Sequence, residues 1–254
     1  MSRLEQLYSL EGLRIVVTGA SSGLGLSMAV MLAECGAWVI GLSRSGRVKI
    51  DYDGTLPANL VFGTMDVADE QSVKNKLTEI GESGGIDVLV NNAGVTVKKP
   101  AVEVTPADLD YINSVNINGM YYCSKHAFPY LRQAEKGGRI INISSMASFL
   151  GFSEVVPYCA SKSAVLGITR GLAVEWASEN ILVNSVSPGW FPSLMNQQVM
   201  DAERQKKILA RMPLHRYGKP EELAALICFL ASPAATYITG QDFSVDGGAL
   251  AFGY

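Results

Sequence analysis

The feature that most restricts what this chain can fold into is an alternation of two patterns. Short, largely apolar runs recur at residues 13–17, 38–42, 60–65, 86–91, 138–144, 181–187 and 242–245. Longer stretches of helical character lie between them at 24–35, 69–81, 105–131, 158–178 and 220–231. A run that is apolar at successive positions, not at every second one, suits a strand buried on both faces, and such strands belong to parallel sheets covered by helices. The intervening helices are the crossovers that a parallel sheet requires. Thr105-Pro106-Ala107-Asp108 reads as a helix start, with Thr at the N-cap, Pro at the first helical position and an acid in the first turn. No internal repeat, low-complexity tract or Pro/Ser-rich linker interrupts the 254 residues. The pattern therefore predicts an α/β chain, a doubly wound parallel sheet flanked by helices in a single domain, 1–254. In such a sheet ligands bind beyond the carboxyl ends of the strands.

Bulk properties narrow the partners. Apolar residues make up 48% and charged residues 18%, which suits a folded core and excludes a disordered chain. A net charge of −3 argues against nucleic acid or an anionic membrane as the partner. The first 14 residues carry Arg3, Glu5 and Glu11 without an apolar signal segment, and the most apolar stretch, 224–231, is too short to span a bilayer. A cytoplasmic protein is expected. Cys35, Cys123, Cys159 and Cys228 are scattered, and His126 and His215 do not stand at metal-ligand spacing, so no metal is expected.

Thr18-Gly19-Ala20-Ser21-Ser22-Gly23-Leu24-Gly25 follows the first strand and opens the first helix. Glycines let the backbone approach a pyrophosphate, and a helix N-terminus offers it free N–H groups and the positive end of a dipole. Gly19, Ser21, Ser22, Gly23, Leu24 and Gly25 are the candidate contacts. At the end of the second strand, an acid would bind both ribose hydroxyls of NAD(H), whereas Arg would accept the 2′-phosphate of NADP(H). The chain has Ser43 and Arg44 there, then Arg47 and Lys49, with no acid before Asp51, so NADP(H) is expected over NAD(H), unless Arg44 is a solvated loop charge that only stacks on adenine. Asp66, with Val67 beside it, is a candidate for the adenine amino group, unless Asp66 or Asp69 caps the following helix. Asn91-Asn92-Ala93-Gly94 ends the fourth strand. Its small residues would let the cofactor lie flat, and Asn91 is assigned a structural and cofactor-side role.

Tyr158 and Lys162 stand at i and i+4, on one helical face. A phenol is a poor base at neutral pH, and a nearby ammonium is expected to lower its pKa. A hydroxyl from the preceding strand end could stabilise charge on a substrate oxygen; Ser145 is preferred to Ser144. Asn116 sits within a long helix, where Asn is a poor former, so a buried, helix-bending residue bound to backbone is the alternative to a catalytic role. Pro188 and Gly189 would form the turn facing the nicotinamide.

Together these motifs resemble the short-chain dehydrogenase/reductase family, from Gly12 to Val245-Asp246-Gly247-Gly248. The resemblance implies a Rossmann-type fold and an Asn-Ser-Tyr-Lys tetrad at Asn116, Ser145, Tyr158 and Lys162. In that tetrad Asn116 would position a water in a proton relay. It also implies a homotetramer packed through the helices at 105–131 and 158–178. The substrate pocket would be lined by residues 95–99, 146–149, 154–156 and Trp190 onward, with a lid over 190–217. Lys98, in Lys98-Lys99, could receive a carboxylate, the alternative being that two adjacent loop lysines are solvated surface. This stretch, with Ile143-Ser144-Ser145-Met146, Arg216-Tyr217-Gly218 and residues 246–252, is similar to gluconate 5-dehydrogenases and 2-deoxygluconate 3-dehydrogenases. The expectation is an oxidoreductase acting on a small molecule, a sugar acid or polyol. A 3-oxoacyl-carrier-protein reductase, a general carbonyl reductase and a non-catalytic dinucleotide-binding regulator stay open.

Overall fold

The computed structural model describes residues 2–49, 54–192 and 202–253. Seven strands form one parallel sheet: β1 (Arg14–Thr18), β2 (Trp38–Ser43), β3 (Leu60–Thr64), β4 (Val88–Asn91), β5 (Gly138–Ile143), β6 (Ile181–Pro188) and β7 (Asp242–Val245). Their order is β3-β2-β1-β4-β5-β6-β7. The chain thus winds outward from β1 in one direction, then crosses back to β4 and winds the other way. That reversal opens a crevice at the carboxyl ends of β1 and β4.

The described helices are α1 (Arg3–Tyr8), α2 (Gly23–Glu34), α3 (Glu70–Glu82), α4 (Pro106–Asn113), α5 (Met120–Leu131), α6 (Val156–Glu175), α7 (Ala202–Arg211), α8 (Pro220–Ala231) and α9 (Ala249–Phe252). They cover both faces because the strands are apolar on both. Ile15 and Val17 point to one side, into a cluster with Met28 and Leu32 of α2 and Leu223 and Ile227 of α8. Val16 points to the other, joining Val73 and Leu77 of α3 and Ala127 and Leu131 of α5. Every residue of β4 and β5 is buried. None of the described helices is long and apolar enough to cross a membrane.

Thr105 caps α4 as expected, in a reciprocal capping box with Asp108. The single helix expected over 105–131 is instead divided. A π-helical turn at Ser114–Gly119 separates α4 from α5. The cause is packing at both ends of that turn. Asn116 turns fully inward to bind the Val95 backbone, and Gly119 lies so close to Val67 that a Cβ would stand 2.8 Å from its carbonyl oxygen. A widened turn lets both residues face the same interior.

Candidate active site

A cavity of about 570 Å³ lies at the carboxyl ends of the strands. The candidate cofactor residues read from the motifs line it, as do Ser145, Tyr158, Lys162, Lys98 and Trp190, with the exception of Asn91. Asn91 is buried within β4 and bonded to Ser124 and Asn142, so only its structural role holds. Asn116 does not; it is buried behind Gly94.

One end of the cavity is the loop between β1 and α2. Gly19 and Gly23 adopt left-handed backbones, with φ of 69° and 56°, which glycine accepts freely. The loop is folded tightly onto the end of β4. A Cβ on Gly19 would lie 2.9 Å from the Ala93 Cα, and one on Gly25 would collide with the Gly19 carbonyl oxygen and the Asn92 amide. Asn92 is the clamp. Its Nδ2 donates to the Thr18 and Gly19 carbonyls at 2.9 and 3.2 Å, and its backbone N–H donates to Thr18 Oγ1 at 3.0 Å. Asn91 Nδ2 donates to Ser124 and Asn142, tying strand to helix and to β5. The first N–H groups of α2 have no acceptor in the helix, and Ser22 at the N-cap makes no side-chain bond to them. Bare N–H groups and a backbone without side chains in the way fit the pyrophosphate of a dinucleotide.

Beyond β2, Ser43 Oγ accepts from the Gly46 N–H at 3.2 Å and lies 3.3 Å from Ser45 Oγ, which shapes the turn that carries Arg44. Arg44 is exposed, and its guanidinium has no hydrogen bond or ion pair with any described residue. Lys49 reaches the same cavity, its N–H donating to the Ser21 carbonyl at 3.0 Å. Asp69, not Asp66, caps α3; Asp66 Oδ1 accepts from the Ala68 N–H at 3.0 Å while the residue faces the cavity.

The other end holds Tyr158 and Lys162, on successive turns of α6. Lys162 is 4% exposed, its Nζ donates to the Ile143 carbonyl at 2.8 Å, and it lies 5.7 Å from the centre of the Tyr158 ring. Burial holds this ammonium down to about 8. Tyr158 shifts the other way from expectation. Burial pushes its phenol above the usual value, and a hydrogen bond with Ser145 pulls against that rise only in part. Desolvation is the largest cause of the shift, and the Lys162 ammonium, directed at the Ile143 carbonyl, is not among its causes.

The two serines sit in different surroundings. Ser144 is buried, with its hydroxyl 2.6 Å from that of Ser148 and 3.1 Å from the Lys162 carbonyl it donates to. Ser145 stays partly exposed beside Tyr158 and accepts from the Ala147 N–H at 3.1 Å. Asn116 pairs with the Val95 backbone both ways, at 2.8 and 2.9 Å, and donates to Ser161 Oγ at 2.9 Å; Ser161 in turn donates to the Tyr158 carbonyl at 2.8 Å. A Cβ on Gly94 would sit 3.5 Å from both Asn116 Oδ1 and Lys162 Nζ, so Gly94 is the spacer between them. Ser161 was not singled out by motif, although its i+3 spacing from Tyr158 marks it.

At the mouth, Phe152 and Trp190 meet edge to face at 6.0 Å. Gly189 follows β6 so close to Asp246 that a Cβ would stand 2.6 Å from its Cα. Of the expected lid, residues 193–201 lie outside the described residues; Ile208 of α7 and Met212 after it are buried. Among the described residues no group of three His, Cys, Asp or Glu side chains could hold a metal ion.

Residues 19–249 match the family model described as enoyl-(acyl carrier protein) reductase. The chain is 39% identical over 247 residues to the 2-dehydro-3-deoxy-D-gluconate 5-dehydrogenase of Escherichia coli strain K12, covering 96% of this chain and 98% of that one. It is 36% identical over 243 residues to a 3-oxoacyl-acyl-carrier-protein reductase of Thermotoga maritima, covering 94% and 98%. Among solved structures, a gluconate 5-dehydrogenase from Burkholderia cenocepacia J2315 in complex with NADP and tartrate superposes with a TM-score of 0.90 at 32% identity, covering 98% and 99%.

Proposed function

The chain belongs to the short-chain dehydrogenase/reductase family, and on that premise we propose that it interconverts a secondary alcohol and a ketone with NADP(H), on a sugar acid or polyol. The observation that carries this reading is a single cavity with bare helix N–H groups and Arg44 at one end and Tyr158, Ser145 and Lys162 at the other. The substrate class follows the relatives that act on gluconate and its derivatives. We treat residues 1–254 as one functional domain. Four unpaired thiols suit a reducing compartment, and we assign the enzyme to the cytoplasm.

When bound, NADP(H) supplies or accepts the hydride. Arg44 and Ser43 would hold the 2′-phosphate, Asp66 and Val67 the adenine end, and Ala93, Gly94, Pro188 and Gly189 the floor beneath the nicotinamide. Tyr158 passes its phenolic proton to the carbonyl oxygen in reduction and recovers it in oxidation. Ser145 donates a hydrogen bond to that oxygen as charge develops. Lys162 keeps a positive charge near the phenol and offers donors to ribose. Asn116 would hold the relay water that returns a proton to Tyr158, while its grip on Val95 fixes the wall of the pocket.

A panel of purified protein with NADPH or NADH against 5-keto-D-gluconate, a 3-oxoacyl thioester and a bulky aryl ketone tests the assignment. Turnover is expected on the keto acid, with a higher kcat/KM for NADPH than for NADH. Arg44→Ala is expected to raise the KM for NADPH about 10- to 150-fold, the equivalent of losing a charged hydrogen bond, and to leave NADH nearly untouched. Reduction of the aryl ketone alone would refute the sugar-acid reading, and an NADH preference would refute the role of Arg44.

Homotetramer formation is proposed on the same footing. Leu109, Tyr111 and Tyr121 along α4 and α5, and Val174 on α6, stay 41–82% exposed. Side chains of that size left on these three helices suit a subunit interface. Light scattering is expected to give four times the 27.2 kDa chain mass; a monomer would overturn it.

A further inference from the structure

Lys98 and Lys99 are adjacent in the chain, and the fold gives them different work. Lys99 is locked. Its Nζ binds both carboxylate oxygens of Asp108 at 2.7 and 2.9 Å, and Asp108 is itself held in the capping box of α4. Lys98 faces the cavity, and its partner Glu154 stands 3.3 Å away, longer than the 2.7–2.9 Å of a strong charge-assisted bond. One lysine is spent on the scaffold; the other is loosely held at the pocket mouth.

Glu154 is not there by accident of a flexible loop. Its backbone is left-handed, φ 68°, a conformation that a residue with a Cβ adopts only when its surroundings enforce it. Its carbonyl accepts the Lys99 N–H at 2.8 Å, which fastens this loop to the lysine loop. The two side chains of the pair are 33% and 39% exposed, so a ligand arriving through the mouth can reach them.

We infer that Glu154 is a specificity-setting counter-ion: it holds Lys98 over the cavity and competes with a substrate carboxylate for it. The inference rests on the sugar-acid reading and adds a residue that acts through Lys98 without touching the reacting atoms. A substrate anion must displace the Glu154 carboxylate from Lys98, and that cost falls on acids and not on neutral polyols. The pair thus keeps affinity for the anion moderate while denying the neutral analogue any gain.

The readout is the ratio of kcat/KM for 5-keto-D-gluconate to that for its neutral analogue, in which CH2OH replaces the carboxylate, with kcat and KM separated. Glu154→Gln removes the charge, and Glu154→Gly removes it on a residue that takes the left-handed backbone without strain. Both are expected to raise the ratio about 2- to 5-fold through KM, the size of a partly exposed charge interaction. Lys98→Met is expected to lower the ratio about 10-fold or more. Adding Glu154→Gln to Lys98→Met should change nothing further, because the competition requires the lysine. A fall in the ratio on removing Glu154, an effect of the Gly variant alone, or an equal Glu154 effect with and without Lys98 overturns the inference. Wild-type turnover of neither compound overturns the sugar-acid reading instead, before the variants are compared.

Discussion

Tyr158→Phe is expected to lower kcat by about 10³-fold, within the range for losing a general acid/base, while the Kd for NADPH stays within about two-fold of wild type. The split follows from the geometry. The phenol stands at the far end of the cavity from the Gly19–Gly25 loop, and removing one oxygen disturbs neither the loop nor the Asn92 clamp. The ring remains packed on α6 and Asn116 keeps its bonds to Val95. Stopped-flow turnover and fluorescence titration of NADPH measure the two quantities. Unchanged kcat would refute the proton-transfer role, whereas a wild-type protein that binds NADPH but turns over no carbonyl compound would revive a non-catalytic dinucleotide-binding protein on the same fold.

Lys162→Met separates catalysis from stability in the opposite sense. The ammonium is buried, and its pKa of about 8 stands below the 10.5 of an ordinary lysine. Below pH 8 the amine is protonated whether the chain is folded or not, so the folded state bears the full cost of a buried charge, about 3 kcal/mol at 1.36 kcal/mol per pH unit. Between pH 8 and 10.5 the unfolded chain keeps a proton that the folded one has released, and stability from this group rises with pH. Met removes the cost and leaves the Ile143 carbonyl without its donor, a loss of about 1–3 kcal/mol. At pH 7 the variant is therefore expected to melt no lower than wild type, or up to several degrees higher at about 2–4 °C per kcal/mol, with kcat/KM down about 10²- to 10⁴-fold. Calorimetry at pH 7 and pH 10.5 checks it: any advantage should shrink at the higher pH. A variant that melts several degrees lower at pH 7 would make Lys162 a structural residue first.

What could be read from the chain and what could not divide along a physical line. The strands and the loop of Gly19, Gly23 and Gly25 were legible because local residue type dictates them: apolar runs for burial on both faces, glycine for left-handed turns and close approach. The helix break at Ser114–Gly119 was legible only in part: Asn116 marked a buried bend bound to backbone, but the backbone that binds it is Val95, 21 residues earlier. The direction of the Tyr158 pKa failed for a similar reason. A Tyr/Lys pair at i and i+4 announces proximity, but the depth at which the fold buries both is set by β5 and the loop after it. Lys98 was legible as a cation near the pocket, while its separation from Lys99 depended on Asp108 and Glu154. Phe152 against Trp190 had no local signal at all, since only the closing of two loops brings them together.

The packing of α8 on α2 carries a consequence for how the protein comes into being. Met28 and Leu32, on the helix whose first turn faces the pyrophosphate site, are covered by Leu223 and Ile227, about 200 residues later in synthesis. At 5–20 residues per second, that covering arrives roughly 10–40 seconds after α2 leaves the ribosome. Through that interval the half-built sheet carries an open apolar face. The nucleotide-binding half is thus first in the chain but among the last parts to mature, and a nascent chain stopped before α8 is a client for chaperones, not a small cofactor-binding protein.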